Sequence, residues 1–186
     1  YAKYFDEWWQ RDMADMVLRD RNHPSIILWS IGNEVQEAWD EGTEGIERAK
    51  MLNDFVHRLE PTRPTTLAAQ NNHNGKFSAI VDVTGYNYLE ARLLADRANN
   101  PTHCYFISEE LPYFQGAEGN IRAYLTDNPW NTIAAHDFIA GGFIWSGVDY
   151  WGEAGGDSHG WPNGLFDMAM TEKPRAIFHR AMWSPD

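Results

Sequence analysis

RNHPSIILWSIGNE, residues 21–34, sets the fold reading for the whole chain. Upstream of it, Tyr4, Trp8, Met13, Met16 and Val17 fall on roughly one helical face, and that pattern stops before Asn22-His23-Pro24. Residues 25–31 then read as a buried strand, and the run ends on a carboxylate, Glu34. YFISEE at 105–110 repeats the pattern, an apolar strand running straight into Glu109 and Glu110. In a parallel α/β barrel the carboxyl ends of the strands converge on one mouth, so carboxylates distant in sequence can face one another there.

Outward from these stretches, helix-like and strand-like pieces alternate, with no low-complexity linker and no fixed-period repeat. A helix is predicted over 43–59, with Thr43 as N-cap, Glu44 and Glu47 near its positive end and Pro61 past its close. Strands are predicted at 65–68, 81–88, 104–109 and 140–148, and helices at 89–98, 129–138 and 173–182. Five strands alternating with helices imply a parallel sheet with right-handed crossovers, an α/β fold. A complete TIM (β/α)8 barrel takes about 250 residues, so a chain of 186 residues supplies roughly the last five β/α units. Residues 1–186 are read as one partial barrel domain, strands four to eight.

The chain is 43% hydrophobic and 23% charged, a globular composition. A formal net charge of −12 repels polyanions, so nucleic acid is not an expected partner. The charged, amphipathic first twenty residues are neither a signal peptide nor a membrane span, and no membrane association is expected. Cys104 is the lone cysteine, set in an apolar run and expected to be buried and inert. No cluster has metal-ligand spacing, so neither a metal nor a cofactor is expected on this chain. Two carboxylates facing across a cleft suit cleavage of a glycosidic bond.

RNHPSIILWSIGNE, GYNY at 85–88, ISEELP at 107–112 and GGFIWSGVDYWGE at 141–153 together resemble segments of glycoside hydrolase family 2, in the family's order and approximate spacing. The resemblance implies a retaining, exo-acting hydrolase of terminal β-linked sugars, its catalytic barrel preceded by strands and β-sandwich domains outside this chain. Glu34 matches the acid/base at the end of strand four and Glu109 the nucleophile at the end of strand seven. Glu110 occupies the position where the family usually has an aromatic, which leaves it as the other candidate nucleophile. Asn33 matches the asparagine that contacts the sugar 2-hydroxyl, Tyr88 a tyrosine that hydrogen-bonds the nucleophile, and Trp145 the aromatic floor of the sugar site.

Trp29 and Trp145 are available as an apolar wall around the acid/base, which must be protonated in one step and ionised in the next. Asp149 and Glu153 are expected to hold the loop after strand eight, and His23 to be structural. Asn72 and His73, in the QNNHN run, are candidate subsite residues, as are His159 and Trp161. Family β-galactosidases can bind Mg²⁺ through residues upstream of this window. Family β-glucuronidases carry an Asn-x-Lys motif that pairs with the uronate. HGWPNGLFD at 159–167 has no Lys two positions after Asn163, so a β-galactoside is the expected substrate, with a β-glucuronide or β-mannoside as alternatives. A carbohydrate is the expected partner, together with the N-terminal part of the barrel, and a homo-oligomer is compatible with the sequence. A non-catalytic carbohydrate-binding or assembly fragment is the rival class, because an open barrel leaves unpaired strand edges.

Overall fold

The computed structural model describes residues 2–35, 43–69, 76–110, 129–152 and 159–184. After a single 3₁₀ turn, α1 (Phe5–Asp20) turns Phe5, Trp9, Met13, Met16 and Val17 toward the interior, a helical spacing. The buried face therefore takes Phe5 and Trp9 where the sequence suggested Tyr4 and Trp8, which are exposed. Trp9 meets Phe55 edge-on at 5.2 Å between ring centroids, while Trp8 stays outside under the Arg11 guanidinium.

After a short turn-rich segment the chain enters β1 (Trp29–Asn33), and α2 (Glu44–Leu59), β2 (Thr65–Ala69), β3 (Val83–Asn87), α3 (Glu90–Asn99) and β4 (Cys104–Glu110) follow. Then come α4 (Pro129–Ala134), β5 (Ile139–Ile144), a two-residue pair β6 (Tyr150–Trp151) and β7 (Gly160–Trp161), and α5 (Pro174–Trp183). The five main strands lie in chain order, β1-β2-β3-β4-β5, with β1 on β2 and β2 on β3 parallel. This α/β arrangement is what consecutive strand–helix units produce.

Several boundaries differ from those predicted. β1 begins at Trp29 rather than at 25, because Pro24 and a turn closed by Ile26 N–H to His23 O hold the preceding residues out of the sheet. The last main strand ends at Ile144, and Val148 pairs only through an isolated bridge to Phe166. Thr43 precedes α2 but makes no side-chain capping bond, its backbone already being helical. The β6–β7 pair, antiparallel, lies in what reads as a loop. Cys104 opens β4 and is exposed, contrary to the expected buried thiol.

By compactness the chain divides into two units, Tyr1–Phe106 and Ile107–Asp186. In the first, α1 and α2 cover β1 and β2 over a core of Val17, Trp29, Ile31, Ala49, Leu52, Val56, Leu67, Phe77 and Val81. Each large side chain so buried contributes about 1.5–3 kcal/mol. Trp29 is part of this core, its indole N–H donating to Glu60 at the close of α2, 3.3 Å. It stands at the opening of β1, so it builds no wall around Glu34 at the strand's other end. The Glu60 carboxyl is drawn down to about 2, first by the Thr62 hydroxyl and also by the Thr62 N–H, Trp29 and Arg63. Arg63 in turn donates to the carbonyls of Arg21 and His23, so His23 serves a structural corner.

In the second unit, Asp149 is the tie. It accepts from Gly164 N–H at 2.7 Å and from Lys173 Nζ at 2.6 Å, and Lys173 also reaches the Pro162 carbonyl. The segment after β5 is thereby fastened to residues 162–173, the holding role read for Asp149. α5 starts on Pro174, a favoured first helical position, and buries Arg175, Ala176 and His179.

Candidate active site

In the first unit, the register sets the ends of three strands level. Asn33 is opposite Ala68, and Ala69 is opposite Tyr86, so Asn33-Glu34 and Asn87-Tyr88 leave the sheet on the same edge. Between Ser30 and Asn33 the β1 register shifts, an irregularity of the kind that re-aims a side chain. Glu34 follows in a left-handed conformation, φ +48°, and its N–H still bonds the Ala68 carbonyl at 3.0 Å. Tyr88 is left-handed as well, φ +60°. Non-glycine residues in this region are uncommon and cluster at functional positions.

Asn87 joins these ends. It is fully buried, and its Nδ2 donates to Glu34 Oε1 at 2.9 Å and to Asn33 Oδ1 at 3.0 Å. Sequence reasoning quoted this residue inside GYNY yet assigned it nothing. The available signal was a carboxamide at the last position of a strand, directly before the singled-out Tyr88. Glu90, two residues past Tyr88 at the start of α3, has its Oε1 buried without a hydrogen-bond partner among the described residues, and burial raises its carboxyl above the usual range.

In the second unit, Ile133 of α4 and the Glu110 carboxyl both lie over the bare Cα of Gly142. Glu110 thus projects from the face of the sheet that α4 covers, and it is buried there. Side chains alternate along a strand, so the half-exposed Glu109 projects from the opposite face. Trp145, just past β5, donates its backbone N–H to the Glu110 carbonyl at 2.9 Å and sets its ring edge-on to Tyr150, centroids 6.2 Å apart. The peptide joining Trp145 to Ser146 is cis. Trp161 is half-buried in β7, and the His159 carbonyl accepts from Gly152 N–H. Asn72, His73 and Glu153 lie outside the described residues. Among the described residues no group of His, Cys, Asp and Glu could hold a metal ion, and no helix is long and apolar enough to cross a membrane.

Residues 5–160 match the family model described as glycosyl hydrolases family 2, TIM barrel domain. The chain belongs to glycoside hydrolase family 2. A solved family 2 structure from Bacteroides cellulosilyticus DSM 14838 superposes with a TM-score of 0.82 at 33% identity, over all of this chain and 23% of that one. A β-galactosidase of Bacteroides ovatus is 30% identical over 99% of this chain and 30% of its own length. A β-glucuronidase of Bacteroides fragilis is 24% identical over 97% of this chain and again 30% of its own length. The chain thus spans less than a third of these family 2 relatives, and it corresponds to part of their barrel domain.

Proposed function

We propose that this chain carries the two catalytic carboxylates of a retaining, exo-acting β-glycosidase, with Glu34 as acid/base and Glu109 as nucleophile. What carries the reading is the pair of strand ends. Glu34 leaves β1 in a left-handed conformation under a donated hydrogen bond, and the burial of Glu110 beneath α4 leaves Glu109 as the carboxylate of β4 on the other face. Double displacement needs a nucleophile about 5–5.5 Å from the acid/base, attacking the anomeric carbon to form a glycosyl-enzyme. Glu34 protonates the departing oxygen in that step and activates water in the next. Asn33 contacts the sugar 2-hydroxyl, Tyr88 hydrogen-bonds the nucleophile, and Trp145, 41% exposed, offers its face as the floor of the sugar site.

A terminal β-galactoside is the proposed substrate. The β-galactosidase of Bacteroides ovatus supports it, as does residue 165, a leucine where uronate recognition calls for Lys. Lys173, further along, is already engaged by Asp149 and the Pro162 carbonyl. A β-glucuronide is the second reading, favoured by the β-glucuronidase of Bacteroides fragilis.

One set of assays on the enzyme that contains this chain tests both points. Glu109→Gln abolishes turnover, whereas Glu34→Gln slows it and spares activated aryl glycosides, because a good leaving group needs no proton. Full activity in Glu109→Gln moves the nucleophile to Glu110. Nitrophenyl β-galactoside is expected to exceed the β-glucuronide in kcat/KM by roughly tenfold or more, the worth of one charge-assisted contact of about 1.5–3 kcal/mol. The reverse preference overturns the substrate assignment.

A further inference from the structure

We infer that Asn87 is a positioning residue for proton transfer, its carboxamide setting the orientation of the Glu34 carboxylate and of the Asn33 amide at once. The inference rests on the reading of Glu34 as acid/base. A carboxamide nitrogen carries two hydrogens, and here one goes to Glu34 Oε1 at 2.9 Å and the other to Asn33 Oδ1 at 3.0 Å. Because Asn33 accepts through Oδ1, its own NH₂ is left to donate, the polarity suited to a sugar hydroxyl oxygen. Asn87 is fully buried on β3, so the donor comes from a rigid strand rather than from a loop. Glu34 needs such a hold. Its backbone is left-handed at φ +48°, outside β1, and its N–H to Ala68 fixes the main chain without fixing the carboxylate.

Neither an aliphatic nor an acidic side chain at position 87 can make both donations. A proton donor that wanders by 1 Å loses rate chiefly where the proton matters, on poor leaving groups. That selectivity separates positioning from a merely structural role.

The test compares Asn87→Leu, Asn87→Asp and Glu34→Gln in the complete enzyme, with phenyl and 2,4-dinitrophenyl β-glycosides of the preferred sugar. Asn87→Leu is expected to lower kcat/KM about 10- to 100-fold on the phenyl glycoside, the loss of one hydrogen bond to a charged group, and less than about threefold on the dinitrophenyl glycoside. Asn87→Asp, isosteric and independent of any folding defect in the leucine variant, shows the same split. Its activity on the phenyl glycoside recovers toward acid pH, where the introduced carboxyl is protonated and can again donate to Glu34. Equal losses on both leaving groups, or no recovery in acid, make Asn87 structural and overturn the inference. If Glu34→Gln itself shows no leaving-group dependence, the acid/base reading has failed and the inference falls with it. A split in Glu34→Gln without one in either Asn87 variant overturns the positioning role alone.

Discussion

A Cβ added to Gly142 would lie 2.7 Å from Ile133 Cδ1 and 3.3 Å from the Glu110 carboxyl carbon. No ordinary carbon–carbon contact is as short as the first of these, so Gly142→Ala must push Ile133 aside in a closely packed interior. The expected cost is about 1–3 kcal/mol of stability. Chemical denaturation in an Ile133→Val background checks the cause. Removing Cδ1 should cut the Gly142→Ala penalty to under half, whereas an unchanged penalty locates the strain elsewhere. The same glycine bears on the candidate nucleophile, since room over Gly142 is what lets Glu110 fold under α4. From sequence, strand alternation establishes that Glu109 and Glu110 part to opposite faces. It does not say which face belongs to which residue. Packing against α4 decides that, and a bare glycine 32 residues downstream gives no local sign of it. Asn87 escaped for a similar reason, because its two acceptors sit more than 50 positions upstream.

Among the elements, α5 carries a titratable group in its buried face. His179 is buried beside Trp183, ring centroids 5.0 Å apart, and burial lowers its pKa to about 4. The unfolded imidazole titrates near 6.5. Between pH 6.5 and 4 the unfolded chain therefore binds a proton that the native state refuses, so stability falls as pH falls through that window and the loss is complete near pH 4. Thermal unfolding across this range should show the decline, and His179→Gln should flatten it. An undiminished slope in the variant would assign the acid sensitivity to other groups. Apart from the short β6–β7 pair, the elements were legible in kind and displaced at their edges. Hydrophobic period identified α1, yet its face was misjudged by one residue at Tyr4 and Trp8, because a Tyr-Phe and a Trp-Trp neighbour pair offer two adjacent apolar positions each. Only packing against Phe55 and the core selects Phe5 and Trp9.

On the scale of the whole molecule, the chain exposes apolar side chains at both ends of its strand series. Ile27, before β1, is 67% exposed, Phe143 in β5 is 58% exposed, and Trp145 is 41% exposed. Trp29, at the start of β1, is by contrast buried in the core. Among the described residues, the first and last strands of the sheet order each pair on one side alone. A polypeptide of these 186 residues expressed by itself is therefore expected to associate and to lack glycosidase activity, and addition of a fragment bearing the early barrel strands should restore turnover. Gel filtration with light scattering and a nitrophenyl glycoside assay read both properties. A monomeric, fully active 186-residue chain would refute the need for the rest of the barrel.

The sequence by itself determined the family, the alternation of strand and helix, and the placing of Glu34 and Glu109 at strand ends, because these rest on residue order and on short-range period. The tertiary structure decided that Trp29 belongs to the core with Glu60, that Glu110 lies under α4, and that Asn87 reaches Glu34. Each of those depends on which side chains, distant in sequence, come within hydrogen-bonding or van der Waals reach of one another, and neither a hydrogen bond nor a packing contact is made beyond such distances.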